Sequence, residues 1–250
     1  MANLIILDSG HTEKVSGKQS PDKTLREWNF NNEMQYKLKK RCEDHNIKVY
    51  LTNPSPKGIN EIGLTKRATL ANNYWANQGK PKSLFISIHA NAYGTDFNNA
   101  RGTETFVASN ASTNSKNAAN YIQTEVYNTI KAIDSNAKNR GVKTSDFTVI
   151  YKANMPSILL EYAFYTNRDD LKILKNNKDE LVEATMKGIC KYFNITYKAV
   201  DNEPEVPVVD SDIYYRVVVG SYNDKKNAEE MVEKLKKDGY DSFIAVYKKE

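Results

Sequence analysis

The chain has only three histidines, His11, His45 and His89, so any imidazole chemistry must be built from these. His11 follows an apolar run in LDSGH and His89 closes SLFISIH. Both positions are carboxyl ends of predicted strands, where open α/β sheets place their sites. His45 sits in CEDHN, between a helix and the next strand, and is expected to be an ordinary surface residue at the opposite edge. Two imidazoles at one sheet edge, joined by a carboxylate, form a three-ligand set with a fourth tetrahedral position open. That is the pattern of a catalytic zinc rather than a structural one. The carboxylates nearest His11 are Glu13, Glu27 and Glu33. Glu27 opens a predicted helix (LREWNFNN), so a rigid element could hold it over the strand ends, whereas Glu13 lies in a polar loop. Asp8, just before His11, is the candidate for orienting a ligand from behind. Glu161 follows the apolar run SILL, and burying a carboxylate there is costly unless it has a partner or a task. Beside a metal centre the task is general base; the alternative is a salt bridge to Arg67 or Arg168. The sequence contains no GxSxG elbow, Walker-type loop, HExxH or GxGxxG.

Strands and helices must alternate to bring these residues together. Short β-rich runs occur at 3–7, 47–51, 83–89, 103–107, 147–151 and 157–162. Helical periods lie between and after them: Leu25 to Cys42, Leu64 to Trp75, Ala119 to Ile133, and Val182 to Phe193. Such alternation predicts an α/β domain, a largely parallel twisted sheet of about six strands flanked by helices. Residues 199–212 carry five acids, no base, and Pro204 and Pro207, which reads as an extended linker. Beyond it, 213–250 predicts a small βαβ module, with Gly239 capping its helix. The expected domains are therefore 1–198, a linker 199–212, and 213–250.

A length of 250 residues with 40% hydrophobic and 27% charged side chains excludes collagen-like, wholly disordered and membrane-spanning classes. The start MANLIILDSGH has neither the basic nor the long apolar region of a secretory signal, so a cytoplasmic origin without signal peptide is expected. Cys42 and Cys190 lie in helix-like stretches and are expected to be small buried apolar residues rather than a disulfide. The net charge is +5: residues 1–198 carry about +9, offset by the acidic stretch 199–212. A basic body suits a polyanionic surface such as nucleic acid, anionic lipid or a teichoic-acid-bearing wall.

Seven ordered blocks resemble the zinc-dependent N-acetylmuramoyl-L-alanine amidases of the amidase-3 family: LDSGH, GKQSPDKTLREWNFNN, LTKRATLANN, SLFISIHANA, RGTETF, NRGVK and MPSILLEYAFYTNRDD. The resemblance implies cleavage of the amide between the glycan lactyl group and the stem peptide of peptidoglycan. It also implies Zn2+ as cofactor, His11, Glu27 and His89 as its ligands, and Glu161 as the catalytic glutamate. Asp8, Arg67 and Asn91, within the blocks, are candidates to support the ligands or touch substrate. TEKVSGKQSPDK replaces the glycine-rich stretch that many members carry after the first histidine.

The tail YYRVVVGSYNDKKNAEEMVEKLKKDGY resembles one half of a SPOR-type wall-binding repeat, with Tyr214, Tyr215, Arg216 and Tyr222 as candidate sugar contacts. Half a module has a marginal core, so pairing of two chains through their tails is expected. The expected partner is bacterial peptidoglycan, with neither nucleic acid nor membrane insertion. A phage endolysin released through a holin-type lesion fits best, acting on a Gram-positive, clostridial wall. A bacterial autolysin and a zinc peptidase cutting within the stem peptide are the competing readings.

Overall fold

The structure is a computed structural model and describes residues 3–200 and 219–246. The chain divides into two compact units, Met1–Ala199 and Val200–Glu250. In the first, six strands are ordered β2-β1-β3-β6-β4-β5: β1 (Leu4–Ser9), β2 (Lys48–Leu51), β3 (Ser83–Asn91), β4 (Thr103–Val107), β5 (Asn139–Thr144) and β6 (Ser157–Phe164). Neighbours run parallel except β4 and β6, which are antiparallel. The amino ends of β4 and β5 therefore meet the carboxyl ends of β1, β3 and β6 at one edge.

Strands covered on both faces need apolar side chains at every position, and β1 is buried throughout. Ile5 and Leu7 face one core, shared with α1 (Glu27–Asp44), α3 (Thr113–Ile133) and α6 (Lys178–Phe193). Leu4 and Ile6 face the other, with α2 (Leu64–Asn77) and α4 (Thr148–Tyr151). The same period of two puts Glu161 on the α2 side, with its strand neighbour Leu159 in that second core. It points His89, Glu161 and Glu104 in one direction, because they are register partners across three strands.

Two predicted elements come out differently. The run 147–151 is not a strand but the single turn α4, with Val149 and Ile150 packed under α2. A five-residue apolar run has no periodicity that separates the two states. The sixth strand is instead β5, NRGVKT, whose polar, partly exposed residues suit a sheet edge and hide it from a hydrophobic scan. A charged helix, α5 (Arg168–Asn176), was not anticipated either; Asn167 caps it through the N–H groups of Asp169 and Asp170.

His45 is buried, contrary to its expected surface position. Its Nδ1 lies 2.7 Å from the carbonyl of Arg41 and its Nε2 accepts from the Lys198 N–H at 2.9 Å, so the ring ties the end of α1 to 198. It takes no part in the candidate site. Cys42 and Cys190 are buried free thiols.

In the second unit, α7 (Lys225–Lys237) ends at Gly239, whose φ of +87° is the left-handed conformation that follows a helix C-cap. The predicted closing strand of the tail shows no ladder over 241–246 among the described residues. A strand requires an edge to pair with, and most of the segment expected to offer one, 213–222, lies outside them. Tyr214, Tyr215 and Arg216 lie there too; Tyr222 is described and exposed.

The α3–α6 contact leaves no space for a side chain at Gly188, where a Cβ would stand 2.6 Å from the Cα of Ile122. Helix propensity favours Gly188→Ala by about 1 kcal/mol. Overpacking against backbone costs about 1–3 kcal/mol, so the variant is expected to be the less stable, with Gly188→Val worse. Urea unfolding of both against the parent checks this.

Candidate metal centre

His11, Glu27 and His89 each offer one donor atom, and the three atoms lie within 4.8 Å of one another. The His89 Nδ1 is 3.0 Å from one oxygen of Glu27, and the His11 Nε2 is 3.5 Å from the other. Two donors held about 2.0–2.1 Å from a tetrahedral ion stand about 3.3–3.4 Å apart, so a set spread over no more than 4.8 Å lies within small side-chain adjustments of a zinc site. The rings are edge-to-face with centroids 5.3 Å apart, leaving both ring nitrogens turned toward the carboxylate.

Each ligand is fixed from a different direction. Glu27 is the first residue of α1, where the unpaired N–H groups of the helix favour negative charge. Its own N–H donates to the carbonyl of Lys18, and Gln19 and Arg26 form an antiparallel bridge, so a narrow loop folds back on the helix start. His89 ends the parallel run of β3 just before a register shift. His11 has φ of +61°, a left-handed conformation uncommon outside glycine. Between them, Gly10 lies flat against the His89 ring: a Cβ there would stand 2.2 Å from its Cε1. The glycine in LDSGH is thus required by close approach rather than by its backbone angle.

Glu161 sits beside this set. Its register partner is His89 on β3 and, on the other side, Glu104 on β4. Its Oε2 is enclosed with no hydrogen-bond partner among the described residues. Neither expected salt bridge forms, because Arg67 pairs with Asp8 and Glu61 while Arg168 lies over Phe97 at 4.0 Å. Glu104 went unnoticed in the sequence. It is almost fully buried and held ionised by Arg140 Nε at 2.8 Å and by Lys143, with Asn91 Nδ2 donating at 2.5 Å. Alternating polar residues in TETFV were its only signal.

Asp8 does not reach either imidazole. It accepts from Ser87 Oγ at 2.8 Å and from Thr52 Oγ1, with Arg67 Nη1 at 3.4 Å. Arg67 in turn donates to the Ser9 carbonyl at 2.6 Å. Both therefore support the strand end that carries His11, and Asn91 braces Glu104 rather than a ligand. Glu13 and Glu33 are engaged elsewhere, by the Gly58 N–H and by Lys178.

Charge in the site divides unevenly. Burial pushes His11 down to about 4, more than Glu27 raises it, so its imidazole is neutral and able to ligate. Burial also opposes protonation of His89, but its hydrogen bond to Glu27 and the nearby Glu161 outweigh that and raise it. Those imidazole contacts hold the Glu27 carboxyl low against the effect of its burial. Burial, reinforced by Glu27 and Glu104, pushes Glu161 up to about 8 against the pull of His89. A cation among the three donors draws that carboxyl back toward ionisation.

The profile of the Amidase_3 family, N-acetylmuramoyl-L-alanine amidase, matches residues 5–191. The chain belongs to that family. The SPOR domain profile matches residues 207–250. Among relatives, the chain is 39% identical over 113 residues to the amidase LytC of Bacillus subtilis, a match covering 44% of this chain and 21% of LytC. It is 25% identical to the endolysin of Bacillus phage SPP1 over 254 residues, covering 100% of this chain and 82% of that protein. The Clostridium difficile 630 N-acetylmuramoyl-L-alanine amidase structure superposes with a TM-score of 0.67 and 28% identity, covering 77% of this chain and 97% of that one.

In the metal-free protein the two imidazoles are expected to titrate apart. His11 stays neutral until the pH nears 4, whereas His89 keeps its proton above the usual 6.5. Unfolding frees His11 to bind a proton that the folded chain rejects, so its contribution lowers stability as pH falls from about 6.5 toward 4. Histidine NMR titration of the apo form reads both directions; a common midpoint for the rings contradicts the arrangement.

Proposed function

We propose that this amidase hydrolyses the amide between N-acetylmuramic acid and the L-alanine of the stem peptide, with zinc held by His11, Glu27 and His89. The observation that carries the reading is the convergence of these donors beside a buried carboxylate oxygen with no partner among the described residues. Zinc, when bound, supplies a Lewis acid for the carbonyl oxygen and lowers the pKa of water toward ~7. The chain supplies the rest. Glu161 takes the proton of the attacking water and delivers it to the L-alanine nitrogen as the C–N bond breaks. Its Oε2 is enclosed, and His89 and Glu104 on either side help set its proton affinity. Glu104 itself stays charged through Arg140 and Lys143, leaving Glu161 the one acid of this row free to exchange a proton.

The domains are read as catalytic over 1–198, linker over 199–212 and wall-binding over 213–250. The SPOR match supports a peptidoglycan-binding tail, and Tyr214, Tyr215, Arg216 and Tyr222 remain its proposed sugar contacts. The full-length likeness to a phage endolysin supports action as a lysin on a Gram-positive wall, reached after release from the cytoplasm. Among the described residues no helix is long and apolar enough to cross a membrane. Pairing of tails into a dimer stays a proposal, motivated by the half-module length that the sequence of the tail suggests.

Mass spectrometry of digested peptidoglycan is expected to find new L-alanine amino termini and no cuts inside the stem peptide, with the reaction stopped by a chelator. Internal peptide ends would replace the amidase reading by a peptidase. Glu161→Gln is expected to keep fold and zinc stoichiometry while lowering kcat about 10²–10⁴-fold. Near-parental kcat in that variant removes Glu161 from the mechanism.

A further inference from the structure

The turn Ser9–Gly10–His11 has all three of its carbonyls bound by side chains from elsewhere in the chain. Asn53, just past β2, donates from Nδ2 to the Ser9 carbonyl at 2.9 Å and to the His11 carbonyl at 3.0 Å. Asn31 of α1 donates to the Gly10 carbonyl at 3.0 Å. Gln35, one turn further along α1, donates to the backbone carbonyl of Asn53 at 2.9 Å and so holds it in place. All three amide side chains are fully buried.

Asn53 and Asn31 donate to the turn, Gln35 donates to its support and to Asn32 Oδ1 at 2.9 Å, and each of the three leaves its own oxygen without a partner among the described residues. Unpaired buried oxygens are costly, so the donors must be worth that cost where they point. What they secure is a backbone conformation that histidine disfavours. His11 at φ +61° has its carbonyl held by Asn53, while the Gly10 carbonyl held by Asn31 keeps that residue flat against the His89 ring. One clamp therefore fixes the aim of one imidazole and the seat of the other.

We infer that Asn53, supported by Gln35 and joined by Asn31, is a positioning device for the metal centre that sets its affinity by pre-forming the His11 turn. The inference rests on the zinc reading above. Asn53 touches no donor atom of the set, so its effect passes through backbone alone, and an acceptor in its place reverses the sign. Asn53→Asp is nearly isosteric yet replaces the two donated hydrogen bonds by a carboxylate facing two carbonyls.

The test is zinc affinity of the full chain by competition with a chromophoric chelator, together with the visible spectrum of the Co2+-substituted protein. Four proteins are compared: the parent, Asn53→Asp, Asn53→Ala, and Met186→Ala as a destabilised control in the core of α6, remote from the turn. Both Asn53 variants are expected to lose about 10–100-fold in zinc affinity and to change the Co2+ band pattern. The control, although less stable, is expected to keep the parental affinity and spectrum. Parental affinity in a folded Asn53 variant overturns the inference alone. Equal loss in the control and in the Asn53 variants makes the effect one of general stability and overturns it too. A parent that binds no zinc overturns the underlying metal reading, which the first titration distinguishes from the other two results.

Discussion

A carboxylate buried at the start of a helix, with two imidazoles turned toward its two oxygens, is the arrangement on which this molecule depends. Glu27 cannot be taken out of water as an isolated anion. In the metal-free chain it is compensated by His89, at 3.0 Å, and by the amino end of α1. Yet the compensation is incomplete, because burial holds His11 neutral beside the same carboxylate. Two neutral-capable nitrogens and an ionised oxygen at cation-sized spacing describe a site whose charge balance improves when a dication enters.

The fold serves this arrangement by directing chain ends to one place. Parallel strands bring the carboxyl ends of β1 and β3 side by side with that of β6, and the reversal at β4 adds an acid from the opposite chain direction. His89, Glu161 and Glu104 then form a row across three adjacent strands, each with a different task for its charge. His89 hydrogen-bonds Glu27, Glu104 is neutralised by Arg140 and Lys143, and Glu161 keeps an oxygen unpaired among the described residues. The environment, not the residue type, separates two glutamates on neighbouring strands into a fixed charge and a proton carrier.

Much of this was legible in the sequence because the relevant signals are local. An apolar run followed by SGH or closed by IH predicts a histidine at a strand end, and both lie there. The helix opening at Glu27 was marked by the period of Trp28, Met34 and Leu38, all buried, the last two in the core shared with β1. Signals that depend on partners distant in sequence were missed. β5 reads as a polar loop, since an edge strand needs its neighbour more than its own hydrophobicity, and 147–151 reads as a strand although tertiary packing winds it into one turn. His45 was misplaced for the same reason: residues 197 and 198, folded back across the end of α1, cover it, Tyr197 stacking on the ring and the Lys198 N–H donating to it. Asn31, Gln35 and Asn53 carry no motif at all, and their role appears only once three elements meet.

Crystals of the full chain grown with zinc, with anomalous diffraction collected on either side of the zinc absorption edge, test the central claim most directly. The account predicts one strong anomalous peak within about 2.0–2.3 Å of a nitrogen from His11, a nitrogen from His89 and an oxygen of Glu27. A peak coordinated by other residues, or none beside these three at full zinc occupancy in solution, would contradict it.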